Sequence, residues 1–183
     1  LPGAAGLLAV QAGVKAAPDG YNLVALSNAA VTTLPHLQKS SVNALTELTP
    51  IGMFVSFPSV ISVNRNVPAN SIREFIELAK ANPGKFNFAS PGTGTPNHLG
   101  GELLKALTGI SIVHVPYKGG GPALTDLISG QTQMMFSGVP QILPHIKTGR
   151  LKAVAIGHPT RIRSLPDAPP VAVEHERDDL TRR

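Results

Sequence analysis

From Phe86 onward the chain repeats one pattern: a short apolar run, a turn of small and polar residues, then apolar positions at helical spacing. The short runs Phe86–Ala89, Ile110–Val115, Gln133–Phe136 and Leu151–Ile156 read as strands. The stretches between them open on Pro or a small polar residue and close on Gly, which marks helices. Alternation of this kind predicts an α/β fold, with a mostly parallel sheet flanked by helices and joined by right-handed crossovers.

Helix ends are signalled residue by residue. Ser71 and Glu74 form a capping-box pattern ahead of Ile72, Phe75, Ile76 and Ala79, and Asn82-Pro83-Gly84 stops that helix. Thr95 is placed as an N-cap with Pro96 at the first helical position, and Leu99, Leu103, Leu104 and Leu107 supply an apolar face up to Gly109. Gly121-Pro122 opens a helix running to about Gly130, and Pro140 opens another that ends near Gly149. The first 60 residues are less regular. Ala4–Ala17 reads as a helix, Tyr21–Ser27 as a strand, and Val31–Leu37 as a short helix interrupted near Pro35. Ile51–Val55 and Val60–Val63 read as strands, and Glu174–Arg183 as a frayed tail.

Composition narrows the function. Hydrophobic residues at 42% against 15% charged support a buried core. Aromatics are 4% with no Trp, and the basic excess behind the +5 net charge is scattered, which argues against a nucleic-acid surface. The absence of Cys excludes disulfides and thiolate chemistry. No apolar run approaches the ~18 residues of a membrane span.

The informative segment is Ser90-Pro91-Gly92-Thr93-Gly94-Thr95-Pro96, between a strand and a helix at the carboxyl edge of the expected sheet. Its glycines admit close backbone approach, Ser90, Thr93 and Thr95 carry hydroxyls, and the first helical turn leaves N–H groups at Asn97 and His98 for an anion. It is neither a Walker loop nor a dinucleotide fingerprint. Tyr117-Lys118-Gly119-Gly120-Gly121-Pro122 and Ser137-Gly138-Val139-Pro140 repeat this chemistry. Ser27-Asn28 follows the first expected strand in the same way. Asp126 reads as a residue that stabilises its helix dipole. His98 reads either as a ligand contact or as packing. The six His show no metal-ligand spacing, and Ser90 has no identifiable base, so no metal, cofactor or catalytic set is expected.

Ala16-Ala17-Pro18-Asp19-Gly20-Tyr21, Phe88-Ala89-Ser90-Pro91-Gly92-Thr93-Gly94-Thr95-Pro96-Asn97-His98-Leu99, the run from Val115 to Gly130, and Leu143–Gly149 resemble the Bug-type solute receptors of tripartite tricarboxylate transporters. The resemblance covers about residues 1–172. It implies a periplasmic, two-lobed Venus flytrap (type II, periplasmic-binding-protein-like), monomeric, that passes a small carboxylate to a membrane permease. Carried over, Ser90, Gly92, Thr93, Gly94 and Thr95 match the second-lobe carboxylate loop, Ser27 and Asn28 match the first-lobe loop, and Ser137 stands where the family often carries Asp. It also implies a partial first lobe at 1–59, a near-complete second lobe at 60–154, and a return segment with a tail at 155–183. The family's signal peptide and first wall are not matched. Val173-Glu174-His175-Glu176-Arg177 replaces the family's Ala-Glu-Ala-Gly run, as a truncation or frameshift would produce. The competing readings are a phosphate-handling α/β enzyme using Asp126 and His98, and a non-functional remnant of a receptor.

Overall fold

The computed structural model describes residues 6–37 and 42–171. The start of the expected Ala4–Ala17 helix, the residues after Val171 and the tail Glu174–Arg183 lie outside them. Five strands, β1 (Ser59–Asn64), β2 (Phe86–Ser90), β3 (Ile112–Pro116), β4 (Met134–Gly138) and β5 (Leu151–Gly157), form one sheet in the order β3-β2-β4-β1-β5. The helices are α1 (Leu7–Lys15), α2 (Asn28–Thr32), α3 (Leu34–Leu37), α4 (Ala44–Glu47), α5 (Ile72–Ala81), α6 (Pro96–Thr108), α7 (Gly120–Ser129) and α8 (Val139–Lys147).

The sheet is mixed. β2 pairs in parallel with β3 and β4, while β1 lies antiparallel between β4 and β5. β5 therefore points the same way as β2, β3 and β4, and only β1 is reversed. The four same-sense strands are those reached by the β–α–β alternation. β1 follows the irregular first 58 residues and obeys no such crossover.

Side chains along the strands alternate between two cores. Ile61, Val63, Phe88, Met134 and Val154 pack with Phe75 and Ala79 of α5 on one face. Val60, Ala89, Met135, Leu151 and Ile156 pack with Leu127 of α7 and Ile142 of α8 on the other. Burial on both faces explains why these strands are short apolar runs without polar alternation. Phe75, Phe88, Met134 and Met135 are fully buried; each removes apolar area worth roughly 1.5–3 kcal/mol.

The capping box forms as the spacing predicts. Ser71 Oγ accepts the Glu74 N–H at 3.2 Å, and Glu74 Oε2 reaches back to accept the Asn70 N–H at 2.7 Å. A buried side chain ties the far end of the sheet: Asn64 Nδ2 donates to the carbonyls of Leu127 and Ile128, and Asn64 Oδ1 accepts the Asn66 N–H. The Ile128 carbonyl at the end of α7 is thereby satisfied, and the Leu127 carbonyl, which also accepts the Gly130 N–H, gains a second donor.

Two expectations are corrected. Of the four leucines expected on the buried face of α6, Leu104 packs against the core, while Leu99, Leu103 and Leu107 are exposed. The helix instead lays Gly100 and Gly101 on the sheet; a Cβ at Gly101 would sit 2.2 Å from the Phe88 ring. Closeness to that ring, not side-chain hydrophobicity, sets its rotation. Tyr21–Ser27 and Ile51–Val55 form no strands, although both have strand-like composition, because no neighbouring strand among the described residues pairs with them. The segment after β5 folds over the second core. Ile162, Leu165 and Ala168 pack there, and Pro170 bridges to Ile156.

Candidate functional site

Strand order makes the site. β3, β2 and β4 are neighbours with a common direction, so the turns that follow them lie side by side on one sheet edge. The central turn, 91–95, leads from β2 into α6. The turn after β3 is sewn to it by Tyr117 N–H to the Ser90 carbonyl at 2.9 Å and Gly119 N–H to the Pro91 carbonyl at 3.1 Å. Gln141 Nε2 of α8 donates to the Gly120 carbonyl at 3.2 Å, and the Asn97 side-chain amide donates to the Phe136 carbonyl of β4. All three turns are thus cross-linked.

The loop itself folds around its own polar groups. Thr95 Oγ1 donates to the Gly92 carbonyl at 2.7 Å and caps α6 by accepting the His98 N–H at 3.4 Å. Gly92 and Gly94 adopt φ of 146° and 83°, values that L side chains rarely reach. Ser90 is fully buried, with Oγ 3.2 Å from the Gly92 N–H that it accepts. Gly94 is buried, Gly92 half-buried, and Thr93 exposed. The N–H groups of Thr93 and Asn97 take no protein partner among the described residues. Free donors at the start of a 13-residue helix favour an anion without any formal charge.

A histidine to which the sequence pattern assigns no role sits under this loop. His114 of β3 places Nε2 2.7 Å from Ser90 Oγ, stacks on Phe88 with ring centroids 4.8 Å apart, and lies 4.2 Å from the His98 ring. Burial, and then the neighbouring His98, push its pKa down to about 4. The expectation that Ser90 lacks a basic neighbour is therefore corrected. Register carried the signal: Phe88 opposes His114 in the parallel ladder, and Ser90 lies on the same face two residues on. His98 Nδ1 accepts the Gly94 N–H at 3.2 Å, and its Nε2 lies 3.9 Å from Glu102 Oε1.

The other predicted residues are placed elsewhere. Ser137 is buried on the Met135 side of β4, 3.4 Å from Ser62 Oγ, so the sheet separates it from Ser90 and His114. Ser27 caps α2 without a side-chain bond, and both it and Asn28 are exposed. Contact between the first 37 residues and the loop runs through α3, where Leu34 and Leu37 would stand 3.1 and 3.0 Å from a Cβ at Gly94. Asp126 accepts the Tyr117 hydroxyl at 2.6 Å. Burial and this bond raise the tyrosine to about 12. Asp126 is thus committed to bracing the second turn.

These features define an open α/β sheet with a glycine-rich loop at the carboxyl ends of its parallel strands, the edge where ligands of such sheets tend to bind. The chain belongs to the tripartite tricarboxylate transporter family of receptors, whose model matches residues 1–178, and it is of the Bug type. It is 34% identical over 172 residues to the protein BugT of Bordetella pertussis, covering 93% of this chain and 53% of BugT. The periplasmic binding protein BugD superposes with a TM-score of 0.89 at 32% identity, over 94% of this chain and 58% of BugD. Two Rhodopseudomonas palustris proteins, one solved with adipate and one, MatC, with bound malate, superpose at 0.85 and 0.80, each 26% identical. They cover 92% and 93% of this chain and 56% and 58% of theirs. The chain spans about half the length of the curated relatives it matches. Among the described residues, no helix is long and apolar enough to cross a membrane.

Proposed function

We propose that this chain carries the carboxylate-gripping lobe of a periplasmic receptor that delivers a small organic acid to a transporter permease, and that it is not an enzyme. The observation that carries this reading is the loop at 90–95. It lies at the shared edge of three parallel strands, presents the exposed Thr93, and leaves the Thr93 and Asn97 N–H groups at the start of α6 without a partner among the described residues. A carboxylate is a ligand such donors can hold without a counter-charge. Family membership and the adipate and malate in two similar structures support it.

In this reading Ser90, Gly92, Gly94 and Thr95 shape the loop and Thr93 meets the ligand. Ser27 and Asn28 face it from a first lobe at 1–59, the second lobe spans 60–154, and the remainder returns toward the first. The Ser90–His114 contact does not turn the site into a hydrolase. Ser90 is fully buried, and the charged neighbour nearest the histidine pair, Glu102, lies by His98. The test is calorimetric titration of the chain with malate, adipate and citrate. Saturable binding that Thr93→Val weakens about tenfold, the effect of one lost hydrogen bond, is expected. Binding of none of the three acids would overturn the reading.

A further inference from the structure

We propose that the His98–His114 pair is the positioning element of the carboxylate loop: two imidazoles hold the Gly94 N–H and the Ser90 hydroxyl from beneath, and the loop loses its order when either contact is removed. The consequence for affinity rests on the receptor reading above; the positioning itself does not.

A loop with glycines at positions 92 and 94 loses more backbone entropy on ordering than any other choice would impose. Something must fix it. Thr95 closes the span from Gly92, but Gly94 has its N–H bonded to a side chain, His98 Nδ1 at 3.2 Å. A backbone N–H can only donate, so Nδ1 must present a lone pair and His98 must carry its proton on Nε2, toward Glu102. A proton on Nδ1 would abolish the bond. His114 holds the other end of the loop through Ser90, whose Oγ lies 2.7 Å from His114 Nε2, donates to the Gly92 carbonyl at 3.1 Å and accepts the Gly92 N–H at 3.2 Å. The two rings lie 4.2 Å apart, so both cannot be charged without mutual repulsion.

Charged groups around the pair are few. Among the described residues they are Glu102 and Lys105, which bond each other on α6; β2 and β3 carry no titratable side chain other than His114. Burial then keeps His114 uncharged down to about 4. His98 has its Nδ1 already engaged, and its side chain is 16% exposed. Its part is to aim the loop, and the ligand need not touch it.

The test uses nuclear magnetic resonance on the ¹⁵N-labelled 183-residue chain, with imidazole tautomers and amide protection factors as readouts. The neutral chain should show Nε2–H on His98 and a protected Gly94 amide. His98→Asn keeps an acceptor near the Nδ1 position and should retain that protection. His98→Leu should lower it about tenfold, and His114→Phe should do so at Gly92, while His114→Gln restores it. Affinity for malate should follow the same order. An Nδ1–H tautomer on His98, or wild-type protection at Gly94 in His98→Leu, would overturn the proposal. If the leucine variant fails to fold, the wild-type tautomer and the asparagine variant still decide. Absence of malate binding in the wild-type chain would strike the receptor reading alone.

Discussion

Residues 59–157 and residues 6–57 bury their apolar side chains by different means. In the first region a five-stranded sheet is covered on both faces, and Phe75, Phe88, Met134, Met135 and Ile142 are fully enclosed. In the second, α1 to α4 gather a small cluster of Val10, Ala30, Leu34 and Ala44. Tyr21, Leu23, Ile51, Met53 and Phe54 remain outside it, between 73% and 91% exposed. The difference is cooperative. A strand buries its side chains only when neighbours on both sides hold it flat and helices cover it.

The largest break in that comparison is expected from one substitution made in each region. Phe75→Ala removes a fully buried ring from the core under α5 and should cost about 3–5 kcal/mol. Phe54→Ala removes a ring that is 78% exposed and should stay within about 0.5 kcal/mol. Urea denaturation of the two variants checks both. Equal losses would mean that residues 51–57 pack as firmly as the sheet does.

Next in size is the buried polar tie of the sheet. Asn64→Ala leaves the Ile128 carbonyl and the Asn66 N–H without their side-chain partner, while the Leu127 carbonyl keeps only the Gly130 N–H. A loss of about 2–3 kcal/mol is expected in the same assay. The single variant Asn43→Ala, which removes the exposed cap of the four-residue α4, should cost about 1 kcal/mol or less.

The pH dependence separates the regions again. His114 has a folded pKa near 4, below the ordinary 6.5 of an unfolded histidine. Between these values the unfolded chain binds a proton that the folded chain refuses, so stability falls as pH drops from about 6.5 toward 4. One proton sets a ceiling of about 1.4 kcal/mol per pH unit, and solvent at the half-buried ring lowers it. His114→Phe should flatten the melting temperature across this window. A profile that keeps the same slope would assign the acid sensitivity elsewhere.

How much of this was legible in the sequence follows the same division. Ser71, Thr95, Gly109 and Gly130 mark helix ends because caps are local chemistry, readable from a few neighbouring residues. The three turns on one edge were readable because β–α–β alternation fixes strand direction. The loop at 90–95 therefore stood out before any geometry. The antiparallel insertion of β1 was not readable, since nothing in Ser59–Asn64 encodes its neighbours. His114 escaped notice because its partner Ser90 is 24 residues away and only the parallel register joins them. Ser137 was read by its position after a strand, without counting the alternation that turns it to the opposite face from Ser90.

The smallest effect is expected where the sequence pattern misled. The leucines of α6 recur at positions 99, 103 and 107, one helical face, and this spacing normally signals a buried stripe. The structure turns that face outward, with Leu103 58% and Leu107 72% exposed, because Gly101 admits the Phe88 ring and fixes the rotation of the helix. Leu103→Gln removes little buried area and replaces one good helix former with another, so it should change stability by no more than about 0.5 kcal/mol. Gly101→Val on the opposite face forces a side chain into the Phe88 ring and should cost about 1–3 kcal/mol. Thermal denaturation of the pair decides which face meets the sheet. A large loss from Leu103→Gln with a neutral Gly101→Val would rotate α6 and carry His98 away from the loop.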